Sequence, residues 1–248
     1  MSSASTATSS TSSDNLILVT NKICPFAHRA WLTLEELGIP YELKETSIAP
    51  GTKPEWFTTI YHQALGHDKN SDGKVPVLQD TNFILAESNV ISEYLADKYS
   101  SIINLLPQTP TERAEYLLFT SQLLDSYIKN FYPLLRCTNN DELIKYTQDL
   151  LHVCQNLSQA YQRHNGPYYY GSRISLIDIL LWPFIERLCV LQYYRNFIIP
   201  NTDEYKYLHT FINTMKQRNA VQRTTMPAEF FIEGYKGYAG SFLPDRSV

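Results

Sequence analysis

The most constraining stretch of this chain is Ile23-Cys24-Pro25-Phe26-Ala27-His28-Arg29, where an apolar run hands over to helical spacing. Before it stand Leu16-Ile17-Leu18-Val19 and the polar turn Thr20-Asn21-Lys22. After it Ala27, Ala30, Trp31, Leu34 and Leu37 recur on one helix face, and Gly38 is placed to end that helix. The pattern predicts strand, loop, helix. Pro25 falls in the first helical turn, where its missing N–H leaves nothing unpaired. A thiol just before a helix faces free backbone N–H groups and the positive end of the dipole, and both favour the thiolate. Cys24 is therefore the expected nucleophile. A dithiol redox centre reads Cys-x-x-Cys, but Ala27 holds the second position. A thiol that resolves a disulfide on Cys24 must then come from another molecule.

Composition removes several function classes. A net charge of −4 argues against a nucleic-acid groove. The longest apolar stretch, 174–190, is interrupted by Ser, Asp, Pro, Glu and Arg and falls short of the roughly 20 residues of a membrane span. The four cysteines, Cys24, Cys137, Cys154 and Cys189, have no metal-ligand spacing, and no signal peptide precedes them. Reduced thiols and a cytoplasmic location are expected, with Cys137, Cys154 and Cys189 as structural residues.

Taken in order, residues 1–15 read as a disordered tail, with ten Ser or Thr among the first thirteen positions. Residues 16–100 read as strand, helix, strand, a short helix opened by Lys53-Pro54-Glu55-Trp56-Phe57, a polar insert at 62–73, a hairpin through Asp80-Thr81-Asn82, and a helix to Lys98 with Ser88 as its N-cap. The order βαβαββα describes a thioredoxin-like α/β domain. A linker at 101–109 follows, and residues 110–248 read as an all-α domain. Its helices are expected at about 110–136, 141–163, 175–191 and 203–219, two of them opened by the capping patterns Thr109…Glu112 and Ser175…Asp178. The insert contains Asp68-Lys69-Asn70-Ser71-Asp72-Gly73, half of an EF-hand loop, but Gln79 stands where a bidentate Glu is required, so no metal site is expected.

This architecture resembles the cytosolic glutathione transferases. Cys24-Pro25-Phe26-Ala27-x-Arg29, Lys53-Pro54-Glu55-Trp56-Phe57 and Ile177-Asp178-x-Leu180-x-Trp182-Pro183-x-x-Glu186-Arg187-Leu188 resemble the omega class, which uses cysteine. The resemblance implies glutathione as co-substrate. Cys24 would be catalytic, with Phe26, Lys53, Val75, Pro76, Glu87 and Ser88 binding glutathione. Pro76 would be cis and Val75 would pair its backbone with the cysteinyl unit. Ser88 at a helix start would take the γ-glutamyl carboxylate, Glu87 the α-ammonium and Lys53 the glycyl carboxylate. Pro25, Tyr127, Phe131, Phe184 and Arg187 would line the pocket of a second, small electrophilic or glutathionylated substrate. The aromatic segment 230–235 would cover its mouth. A homodimer is implied as well, with no nucleic acid and no stable membrane association.

His28 departs from the omega pattern. Cys-Pro-aromatic-Ala-His-Arg is similar to the glutathionyl-hydroquinone reductases, although His28 itself is expected on a solvent-facing side of the helix. The activity implied is a glutathione-dependent thiol transfer. Cys24 takes glutathione from a mixed disulfide or an S-glutathionyl ketone, and a second glutathione resolves it. Dehydroascorbate reduction fits the same cycle. The alternatives are a hydroquinone-reductase-like enzyme, a transferase that conjugates glutathione to electrophiles, and a non-catalytic binder of hydrophobic ligands.

Overall fold

The computed structural model describes residues 15–244. The expected tail therefore lies outside the described residues apart from Asn15. Strand β1 (Leu16–Thr20), helix α1 (Pro25–Leu37) and strand β2 (Glu42–Glu45) are followed by α2 (Glu55–Gln63), β3 (Val77–Asp80), β4 (Phe83–Ala86) and α3 (Ser88–Lys98). The sheet order is β2-β1-β3-β4, with β1 parallel to β2 and antiparallel to β3. Because side chains alternate along a strand, Leu16, Leu18 and Leu78 join one buried cluster with α1 and α3. Val19, Val77 and Ala86 join another with Phe57 and Tyr61 of α2. Gly38 ends α1 as read: its φ of 65° is left-handed, and its N–H returns to Leu34 O at 3.0 Å.

The second half is helical: α4 (Pro110–Leu118), α5 (Asp125–Arg136), α6 (Asn140–Gln162), α7 (Leu176–Glu186), α8 (Leu188–Arg195), α9 (Lys206–Lys216), α10 (Asn219–Thr224) and α11 (Ala228–Ala239). Among the described residues no helix is long and apolar enough to cross a membrane. The helix expected at 110–136 is continuous but widens to a π-helix over Phe119–Leu124. There the hydroxyls of Thr120 and Ser121 donate to the carbonyls of Tyr116 and Leu117, competing with the backbone for them. The helix expected at 175–191 breaks at Arg187, whose φ and ψ are −82° and 6°. A continuous helix would direct its N–H to Pro183 O; its guanidinium takes that carbonyl instead, at 2.7 Å.

Two polar anchors fix the helical half. Asp178, fully buried at the start of α7, accepts from Ser175 N and Oγ at 2.8 Å each, from Tyr169 N at 2.9 Å and from Tyr161 Oη at 3.1 Å. Arg195 donates to carbonyls at the end of α5 (Leu134, Leu135) and at Ala239 and Phe242, so the close of α11 is tied to α5. This tie positions the C-terminal helix α11, which contains the aromatic segment 230–235. Helix α1 is the shared wall, packed on α3 within its own half and on α7 and α10 of the other.

Candidate active site

Cys24 is the N-cap residue of α1, with extended backbone, and Pro25 is the first helical residue. The loop before it is held from two sides. Asn21 accepts from Ile23 N at 3.0 Å and donates to Thr46 O at 2.8 Å, pinning the loop to the end of β2. From the helical half Arg187 donates to Lys22 O at 3.1 Å and to Ile23 O at 3.1 and 3.2 Å. The Cys24 sulfur lies 3.9 Å from the Val75 carbonyl, across the bond to Pro76, which is cis.

These elements enclose a cleft of about 360 Å³, within the size range of small-molecule sites. Cys24, Phe26, Lys53, Val75, Pro76, Glu87 and Ser88 all line it. The sequence-derived glutathione residues are thus gathered in one place. Glu87 rather than Ser88 caps α3, and Ser88 is its first helical residue. Glu87 adopts φ 72°, a conformation that costs a non-glycine residue about 1–3 kcal/mol and concentrates at binding sites. Ser88, at the N-terminus of α3, lines the cleft, and such a terminus favours an anion. Lys53 Nζ is 2.5 Å from Asp72 Oδ1 and 2.5 Å from Gly73 O.

The opposite wall differs from the expectation. Tyr127, Phe131 and Phe184 are at most 1% exposed and belong to the hydrophobic core. Phe184 meets the cleft only through Phe26, whose ring it contacts edge-on at 5.2 Å. Arg187 is 0% exposed and is a brace for the Cys24 loop, not a pocket residue; Phe231 of α11 covers its guanidinium at 4.4 Å. Pro25, the first residue of α1, is buried. The residue that reaches the cleft from the helical half is Tyr238 of α11. The aromatic richness of the C-terminal segment is the available signal, but the expected cover, 230–235, ends at Tyr235, whose hydroxyl faces Ile23 O at 3.5 Å. Phe57, the last residue of the Lys53–Phe57 motif, lines the cleft too, as do Ser47, Ile48 and Tyr61, which carried no sequence signal.

His28 is not solvent-facing. It is 2% exposed, with Nδ1 3.3 Å from both Glu186 Oε2 and Arg187 Nη1. Helix α7 packs against α1 and buries His28 together with Arg29. Burial lowers the His28 pKa, against the opposing pull of Glu186, and favours the neutral ring. The thiol also departs from the simple helix-terminus argument. Burial pushes the Cys24 pKa up, and this outweighs the N–H groups of Ala27 and Phe26 and the charges of Arg187 and Arg29, which pull it down. The four cysteines are free thiols; Cys137 and Cys154 are buried, and Cys189 Sγ lies 3.4 Å from Glu186 O.

Comparison with known proteins agrees with this geometry. A family model described as the N-terminal domain of glutathione S-transferase matches residues 23–98. Glutathione S-transferase omega-2 of Mus musculus is 31% identical over 205 residues, spanning 81% of this chain and 74% of the relative. Glutathione S-transferase DHAR3, chloroplastic, of Arabidopsis thaliana is 26% identical over 225 residues, 89% of this chain and 76% of the relative. Among solved structures, glutathione transferase Omega 3C from Trametes versicolor superposes with a TM-score of 0.77 at 25% identity over 90% of each chain. A cysteine-headed helix beside a cis-proline loop and an α3 N-terminus, in a chain with these relatives, identifies this protein as a member of the glutathione transferase family, of omega-like type.

Proposed function

We propose that this enzyme is a glutathione-dependent thiol transferase that works through a mixed disulfide on Cys24. The observation that carries the reading is the position of Cys24: its sulfur opens into the cleft at the start of α1, where Ala27 leaves it without a partner thiol. In the first step the Cys24 thiolate attacks the glutathionyl sulfur of a mixed disulfide, the S–S bond breaks, and the substrate leaves as its thiolate. In the second, a glutathione thiolate attacks the glutathionyl sulfur on Cys24, glutathione disulfide departs and the Cys24 thiolate is regenerated. The N–H groups of Ala27 and Phe26 and the charges of Arg187 and Arg29 stabilise that leaving thiolate, while burial opposes them.

Glutathione lies along the α/β side of the cleft in this reading. Val75 offers its backbone to the cysteinyl unit as an added strand would. Ser88 and the start of α3 take the γ-glutamyl carboxylate, Glu87 takes the ammonium and Lys53 faces the glycyl carboxylate. The relatives named glutathione S-transferase omega-2 and DHAR3 support a glutathione-dependent cycle, and mixed disulfides, S-glutathionyl ketones and dehydroascorbate are the substrates of this proposal. Homodimer formation is part of the same proposal, supported by exposed apolar residues on α3 and α4, Val90, Leu117 and Leu118.

The test is glutathione-coupled reduction of a small mixed disulfide by wild type and Cys24→Ser. Loss of turnover by at least about 100-fold is expected, because a serine hydroxyl is not ionised at neutral pH and cannot form the intermediate. Full turnover in the variant overturns the mechanism.

A further inference from the structure

The cation that faces the glycyl end of the cleft is already held by an anion of the chain itself. Lys53 Nζ contacts Asp72 Oδ1 and Gly73 O, each at 2.5 Å, and the lysine side chain is only 13% exposed. Asp72 comes from the polar insert between α2 and β3. That insert is fastened to α2 at several points. Thr58 Oγ1 donates to Asp72 O at 3.1 Å, His62 Nε2 lies 3.0 Å from Ser71 O, and the Tyr61 hydroxyl accepts from Asp68 N at 2.9 Å. Gly73 lets the chain pass close to α2: its φ is +114°, and a Cβ there would stand 2.6 Å from the Phe57 ring. The backbone thus delivers Asp72 to Lys53, while the Asp72 side chain is 53% exposed.

We propose that Asp72 is a built-in competitor for Lys53 and thereby sets how strongly the enzyme recognises the glycyl carboxylate of its thiol substrate. The inference rests on the glutathione reading of the cleft and deepens it. A ligand carboxylate that reaches Lys53 exchanges one ion pair for another, and the gain is small because the cation is satisfied beforehand. If both carboxylates stay, they repel each other. In either case the glycyl end contributes little to binding in the wild type, and the enzyme tolerates thiols that lack it.

The experiment measures dissociation constants of glutathione and of γ-glutamylcysteine, which lacks the glycyl unit, by calorimetry on the reduced full chain. Wild type, Asp72→Asn and Lys53→Met are compared. Asparagine keeps the shape of the insert and removes the competing charge. Glutathione is expected to bind Asp72→Asn about two- to fivefold more tightly, the range of a partly exposed ion pair. Binding of γ-glutamylcysteine stays unchanged, and Lys53→Met removes the small preference for glutathione that the wild type has. Unchanged or weaker glutathione binding in Asp72→Asn overturns the proposal, as does equal tightening of both thiols. If neither thiol binds wild type, the glutathione reading falls and this inference with it; if glutathione binds wild type and only the Asp72 effect is missing, the inference alone falls.

Discussion

On one side of the cleft, Cys24, Val75, Pro76, Glu87 and Ser88 each sit within two residues of a strand end or helix start. On the other side, Tyr127, Phe131, Phe184 and Arg187 come from the interiors and junctions of long helices, and all four are buried away from the cleft. The first group is placed by local chain geometry, such as a cap, a cis bond or a helix N-terminus. The second is placed by how helices rotate against one another, which depends on every residue at the contact. A binding site assembled at element ends is therefore readable from motifs, while a wall assembled from helix faces is not.

The sharpest way to break this comparison is Arg187→Leu. If Arg187 is a brace rather than a wall, the change strips the Lys22, Ile23 and Pro183 carbonyls of a donor and leaves the buried Glu186 carboxylate beside His28, whose ring favours the neutral form. A loss of about 3–5 kcal/mol is expected in urea unfolding, the usual cost of breaking a buried ion pair. A variant as stable as wild type with only an altered second-substrate KM would restore Arg187 to the pocket.

The next test concerns the thiol on the legible side. Because burial raises the Cys24 pKa, the thiolate is the minor form at neutral pH. Alkylation of Cys24 by iodoacetamide, followed from about pH 6 to about pH 10, should climb about tenfold per unit below the pKa. The climb should continue beyond the range of an ordinary free thiol. A plateau on the acid side of that range would mean that the helix terminus dominates after all.

The smallest effect is expected for Tyr127→Phe. The Tyr127 hydroxyl is buried without a hydrogen-bond partner among the described residues. Its removal should leave kcat/KM unchanged and stability equal to wild type or higher by up to about 1 kcal/mol, since an unpaired buried polar group is a cost. A several-fold change in KM for the second substrate would place this ring on the wall.

Much of the fold was legible in the residues. The βαβαββα order followed from apolar runs and punctuating glycines and prolines, and Gly38 stopped α1 where its left-handed φ permits. Ser175 and Asp178 marked the start of α7, but Tyr161 and Tyr169 add two further donors to that carboxylate from outside the motif. The break at Arg187 was not legible, because it depends on a guanidinium that reaches a carbonyl one turn back and a loop in the other half of the molecule. Nor was the burial of His28, since polarity gave it an outer face that α7 covers.

The sequence by itself determined the βαβαββα order with its helical partner, the thiol at the start of α1 and the backbone features that surround it, because strand period, proline and capping act over a few residues. The tertiary structure alone decided the rest. Burial reversed the expected drop in the Cys24 pKa, α11 brought Tyr238 to the cleft in place of the expected aromatics, and the insert carried Asp72 to Lys53. Desolvation, helix rotation and the meeting of charges far apart in the chain depend on the whole packed molecule.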